Sequence, residues 1–219
     1  MNGRGVVVEF DFAVMDGAGL LFETARKFLE GLDGIRLDDA LEARYLAGRA
    51  YLDGFTRLFA SVRTKKTAQK AARDLAAAFN AAVTEAVPKA ITVQFRNFIK
   101  TLTDAGLAVA IATRADVEAV RSAFEPVLGE RVILYHEESE AYGFATWEGW
   151  RRACMAMEMR HAAVRAVSGS GFGVKSALVA GMRSVAVIND RVAWQDFGGA
   201  GEVVDELSGK TAKKFLTRV

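Results

Sequence analysis

Residues 6–17 read VVVEFDFAVMDG, an apolar run that breaks into acids at Glu9 and Asp11. Residues 5–12 are rich in Val and Phe and predict a buried strand. In open parallel sheets, ligands sit beyond the carboxyl ends of the strands. Two carboxylates at the far end of a first strand therefore raise the question of a reaction centre or the remnant of one.

Downstream, the apolar spacing turns helical. Leu41, Tyr45, Gly48, Leu52, Phe55 and Phe59 recur at three and four residues, as do Leu75, Phe79 and Val83. Asp38 and Asp39 are candidate caps for the first run. The basic segment RTKKTAQKAAR, residues 63–73, reads as a solvated helix face or an anion-attracting rim. Val87-Pro88 punctuates the chain, because proline disfavours helix at the residue before it.

From there, strands and helices alternate. Phe95, Phe98, Ile99 and Leu102 form a helical stripe that stops at Gly106. LAVAIAT (107–113) is a buried strand, followed by a helix over 115–124 and a short strand, VILY, at 132–135. A helix over 147–159, a strand at 162–167, a glycine-rich loop SGSGFG at 168–173, a helix through Ala180 and a strand at 184–188 complete the pattern. This order implies an α/β chain, a Rossmann-like parallel sheet with helices on both faces. The helical stretch 18–87 is too long for a crossover and predicts an inserted cap domain, leaving 1–17 and 88–219 as the core. The strand ends then carry Glu9/Asp11, Thr113/Arg114, the segment after Tyr135, and Ser168 to Gly173.

Composition bounds the function. With 219 residues, 51% hydrophobic and 26% charged, the chain is long enough for a proper core. A net charge of +2 gives no reason to expect nucleic acid as a partner. No apolar run approaches the ~20 residues of a membrane span, so no membrane role is expected. The N-terminus lacks a signal-peptide pattern, and one cysteine, Cys154, suits a reducing cytoplasm. Two histidines, His136 and His161, and that cysteine lie far apart in sequence, which argues against zinc.

The strand ends resemble those of the haloacid dehalogenase (HAD) superfamily, specifically members with a helical cap after the first strand, such as phosphoglycolate phosphatase and β-phosphoglucomutase. That family opens with Asp-x-Asp-Gly-Thr/Val-Leu-x-Asp, its first Asp the nucleophile and its second the acid/base. EFDFAVMD fits with Glu9 as nucleophile, Asp11 as acid/base, Val14 at the Leu and Asp16 at the final Asp. A frame shifted by two makes Asp11 the nucleophile but puts Ala13 at the acid/base; the first frame is preferred. The resemblance implies that Thr113, in IATRAD, is the hydroxyl of the second motif. It puts Phe144, in GFATWEGW, where the third motif has its lysine, with Ala145 and Trp147 at the prolines. SGSGFGVKSALVAGM matches the fourth motif at Ser170, Gly173, Val174, Gly181 and Met182, but Gly169 replaces the metal-binding Asp and Ser168 its neighbour.

These departures have physical consequences. Glutamate is one methylene longer than aspartate, a displacement of about 1 Å that costs about 100-fold where attack geometry is tight. Phe144 cannot supply charge to a transferring phosphoryl group. Only Glu9 and Asp11 remain as Mg²⁺ ligands, a weak set. Ser168, Ser170 and Gly171 offer N–H groups and hydroxyls at a helix N-terminus, and Arg114 a positive charge, so Thr113, Arg114, Ser168, Ser170 and Gly171 are the candidate anion-binding residues. Phe144, Trp147 and Trp150 either plug the vacated pocket, the preferred reading, or stack on a ligand. Cys154, Met155, Met157 and Met159 read as core filler.

The leading expectation is a HAD-fold pseudo-phosphatase that binds a phosphorylated or acidic small molecule or a protein partner, with no cofactor. The alternative is an active Mg²⁺-dependent phosphatase or phosphomutase-like hydrolase using Glu9 and Asp11. A third is a structural subunit whose cap helices form a homo-oligomer interface.

Overall fold

The computed structural model describes residues 4–46, 51–63, 66–137 and 143–217. The chain starts with β1 (Gly5–Glu9) and a single helical turn, α1 (Phe10–Ala13). Next come α2 (Gly17–Asp33), α3 (Asp39–Leu41) running into a π-helical turn at Glu42–Leu46, α4 (Tyr51–Val62) and α5 (Ala68–Ala90). Then follow α6 (Val93–Asp104), β2 (Ala108–Thr113), α7 (Val117–Phe124) and β3 (Val132–His136). A 3-10 turn at Gly143–Ala145 leads to α8 (Trp147–Ala156), β4 (Val164–Ser168), α9 (Gly171–Val179), β5 (Arg183–Val187), β6 (Glu202–Val204) and α10 (Gly209–Thr217).

Among the described residues the strands form one parallel sheet ordered β3-β2-β1-β4-β5-β6. β1 is central and fully buried. Val6 and Val8 face the cluster that holds Phe95, Phe98 and Phe124, while Val7 faces Trp150, Ala153 and Ala177. A strand buried on both faces needs no polar alternation, which is why VVV reads as it does. Strand order reverses at β1: the chain adds β2 and β3 on one side, then β4, β5 and β6 on the other. That reversal opens a crevice at the carboxyl end of β1.

Helices α2 to α5 form the inserted cap, held by Leu21, Leu29, Phe55, Phe59, Leu75, Phe79 and Val83, all buried. Asp38 caps α3 through the Leu41 N–H at 2.8 Å. The single helical run expected through Leu41 and Phe59 is instead α3, the π-helical turn and α4; Gly48 lies outside the described residues. So do Thr64 and Lys65 of the basic segment, whose Lys66 pairs with Asp74 at 2.9 Å.

Three sequence expectations are corrected here. The first strand stops at Glu9, not residue 12: the Phe10 carbonyl accepts the N–H groups of Val14 and Met15, and the chain coils out of the sheet. All of residues 10–13 are buried, so hydrophobicity could not distinguish strand from coil. Pro88 does not end a helix; α5 runs on to Ala90. So near a helix end, proline forfeits only one backbone bond, and the buried Val87 anchors that turn. Lastly, β6 and α10 close one side of the core, where Phe215 of α10 meets Phe98 edge-on at 5.5 Å.

Candidate functional site

The crevice collects the residues that sequence singled out. Glu9 ends β1, Thr113 ends β2, Ser168 ends β4, and Asp11 sits in α1 above them. All four are buried, as is Arg114. The Thr113 hydroxyl donates to Asp11 Oδ1 at 2.6 Å, and the Arg114 backbone N–H donates to Asp11 Oδ2 at 2.8 Å. The Ser168 hydroxyl donates to Glu9 Oε2 at 2.5 Å. Both carboxylates are thus engaged from within the protein.

Their protonation follows from burial. Desolvation pushes Glu9 up to about 8, against the opposing Ser168 hydrogen bond. Asp11 is also raised by burial, with the Thr113 bond pulling the other way. A neutral carboxylic acid is a poor nucleophile, and the charged form is what burial disfavours.

The arginine and the glycine loop are equally occupied. Arg114 Nε donates to Asn80 Oδ1 on α5 at 3.2 Å, so its side chain is tethered to the cap. The Asp116 backbone N–H donates to Thr84 Oγ1 on the same helix at 3.2 Å. In the loop, the Gly171 N–H donates to Gln195 Oε1 at 2.8 Å and the Gly173 N–H to Ser170 Oγ at 3.0 Å. Ser170 N–H donates to Ser168 Oγ at 3.2 Å. The helix N-terminus that could cradle an anion is capped by its own neighbours.

Gly169 stands at the position of the metal-binding Asp. A Cβ there would lie 1.9 Å from the Phe12 carbonyl oxygen and 2.2 Å from its carbon. Main chain, not a flexible side chain, fills the space a carboxylate would need. Among the described residues no three His, Cys, Asp or Glu side chains cluster to hold a metal. Glu9 and Asp11, the two carboxylates at this edge, are both held by hydroxyls and backbone N–H groups.

Phe144 does not stand in the crevice. It is buried on the face of Val7, its ring 4.4 Å from Trp150. Trp150 Nε1–H donates to Ser176 Oγ at 2.8 Å, and that hydroxyl donates to the Phe144 carbonyl at 2.5 Å. Phe144, where the resemblance puts the motif's lysine, is part of the core. Trp147 instead lies at the surface, 38% exposed, with the Arg151 guanidinium 4.6 Å from its ring. Thus the three aromatics do not act as one plug. Met155, expected as core filler, is 74% exposed, while Cys154 is buried.

Beside Ser170 the packing is tight, and it comes from residues that sequence reasoning missed. Phe12, Leu46 of the cap, Val192 and Gln195 surround a space of about 10 Å³ beside Ser170. That holds no more than about one water. His136, unassigned from sequence, ends β3 and bonds through Nδ1 to the Ala115 carbonyl at 2.9 Å. Glu137, its neighbour, is buried and accepts from Arg152 Nη2 at 2.7 Å. Nothing local in the sequence marks Asn80, Gln195 or Glu137; each acts across more than 14 residues.

No family model matches the sequence, and no curated protein sequence does. Solved structures do match it. A β-phosphoglucomutase from Clostridium difficile aligns at TM-score 0.72 and 12% identity, over 99% of this chain and 100% of that one. CbbY from Rhodobacter sphaeroides, solved in complex with phosphate, aligns at 0.70 and 16% identity, over 93% and 94%. A HAD hydrolase of family IA, variant 3, from Entamoeba histolytica aligns at 0.72 and 13%, over 98% and 100%. At such identities the likeness is one of fold, and it spans the whole length: the chain has the HAD-like fold, a parallel α/β core with an inserted helical cap.

Proposed function

We propose that this chain is a pseudo-phosphatase, a HAD-fold protein that has lost phosphoryl transfer and acts by binding. The observation that carries this reading is the Phe12 main chain lying 1.9 Å from where any side chain at residue 169 would begin. It leaves no room for the third carboxylate of a magnesium site. The neutral-leaning Glu9 and the buried Phe144 point the same way. Phosphoryl transfer in such a site rests almost entirely on positioning and electrostatic stabilisation, and both are compromised.

What binds is then sought outside the crevice, with a protein partner favoured over a phosphorylated metabolite, because the loop's N–H groups are already taken. A reducing cytoplasm suits the lone Cys154, whose thiol burial pushes up to about 11. One observation favours the alternative of a working hydrolase: Glu9, Asp11, Thr113 and Ser168 still converge at one strand edge.

The deciding experiment is Mg²⁺-dependent hydrolysis of an aryl phosphate and a panel of sugar phosphates, beside a Glu9→Gln/Asp11→Asn variant. Equal background from both folded proteins is the expected result. Turnover that the variant abolishes would overturn the reading and make these carboxylates catalytic.

A further inference from the structure

A groove of about 980 Å³ runs between α2 and α5, lined also by Val14, Met15 and Asp16 from the link that follows α1. Its two walls differ in character. α5 presents Ala78, Ala82, Ala86 and Ala90, a four-residue repeat running about 18 Å along the helix. α2 presents the larger Leu20 and Phe28. Small residues on one helix let another helix approach to about 8 Å, and large ones opposite fill the space between.

The charges on the α5 wall say which helix. Glu85 and Lys89 line the groove, both exposed, and neither has an ion pair among the described residues, not even with each other one turn apart. An antiparallel helix of the same sequence answers both charges. If it crosses at the level of Val87, Glu85 of one copy meets Lys89 of the other, twice over by symmetry. A two-fold interface must be self-complementary in this way: residue i meets j, and j meets i.

We propose that this groove is the interface of a two-fold homodimer in which α5 of one copy lies antiparallel on α5 of the other. The proposal stands whether or not the crevice turns over. Within the monomer the acids at the other wall are already used: Glu23 pairs with Arg26 at 2.7 Å, and Asp16 accepts the Gly19 N–H at 2.9 Å. Lys27 of α2 also lines the groove without an ion pair among the described residues, and the reciprocal pair on α5 is what a two-fold mate answers.

The test is sedimentation velocity on the full chain over a concentration series, with three variants: Glu85→Lys, Lys89→Glu and the double swap. The expected species is a dimer of twice 23.7 kDa. Each single reversal sets like charges together at two symmetric places and raises the dimer Kd about tenfold or more. The double swap restores it to near the wild-type value. Both side chains are exposed, so at concentrations where every form is monomeric the three variants should unfold at the parent's temperature. A chain that stays monomeric up to about 0.1 mM overturns the proposal. So do single reversals without effect, or a double swap that fails to restore association.

Discussion

Two concave regions of this molecule are built on opposite terms. The crevice at the end of β1, where a sheet of this topology receives ligands, buries its carboxylates, and the space beside Ser170 is only about 10 Å³. Its polar groups answer one another: Thr113 to Asp11, Ser168 to Glu9, Gln195 to Gly171. The groove on the cap has about 980 Å³, with Glu85 and Lys89 unpaired at its edge. Buried polar groups must find partners, and a site that finds them internally has nothing left to offer a ligand. Groups at an open groove are satisfied by water and stay available. The carboxylates at the strand ends are held from within, while the groove between α2 and α5 has the room and two exposed charges without an ion pair.

The comparison breaks most sharply if the crevice can be reopened. Gly169→Asp restores the residue type that the resemblance expects, yet its Cβ meets the Phe12 carbonyl at 1.9 Å. The expected outcome is a loss of more than about 4 kcal/mol in urea unfolding, the range reserved for strain that the surroundings cannot absorb. A variant that folds at parental stability and binds Mg²⁺ by calorimetry would show that main chain at residues 12–13 yields, and with it the closed-crevice reading.

The next effect is the pH dependence carried by Glu9. Its folded value of about 8 lies above the ordinary 4.5, so between those limits the native state holds a proton that the unfolded chain has released. That contribution is full below pH 4.5, falls as pH rises, and is gone above about 8. The span amounts to a loss on the order of 4 kcal/mol. Urea unfolding from pH 5 to 9 should show the decline, and Glu9→Gln, which keeps an acceptor for Ser168 without a titrating group, should flatten it. The same decline in the variant would assign it elsewhere; Asp11, also raised, is the first candidate.

The fold was largely legible in the sequence because its signals are local: Val6–Val8, the 107–113 run and the strand before Ser168 read as buried strands without reference to one another. The cap was legible from the length of helical spacing between β1 and β2. Less visible was β6, only three residues long, and α10, whose GKTAKKFLT is dominated by polar residues. The site was legible as positions and not as a state. Glu9, Asp11, Thr113, Arg114 and Ser168 do meet, but what closes the crevice comes from Leu46, Asn80, Val192 and Gln195, each placed by tertiary packing. Phe144 shows the same limit: sequence marks the lost lysine, while only the packing on Trp150 shows that the position has left the crevice.

Smaller effects probe single bonds within the crevice. Thr113→Val keeps the shape of the side chain but leaves Asp11 Oδ1, buried, without its 2.6 Å donor. An orphaned buried acceptor costs about 1–3 kcal/mol, and equilibrium unfolding at neutral pH should report a loss in that range. A loss of only a few tenths would mean that water reaches Asp11, and the crevice is more open than its lining implies.

The smallest expected effect concerns the seam between cap and core. A lid that admits ligand has to part from the surface it covers, yet here α5 is bonded to the loop after β2 through Asn80 to Arg114 and Thr84 to Asp116. Asn80→Ala removes one of these and should cost about 1 kcal/mol, the usual worth of a side-chain hydrogen bond. Its sharper readout is hydrogen exchange, since Asn80 ties two elements that otherwise meet through α5 and α7. If the cap is a fixed part of the structure, exchange in α5 should quicken together with exchange in α7, because both lose the same tether. If α5 alone responds, the cap still moves as a lid, and the crevice below it is closed by a hinge position and not by its residues.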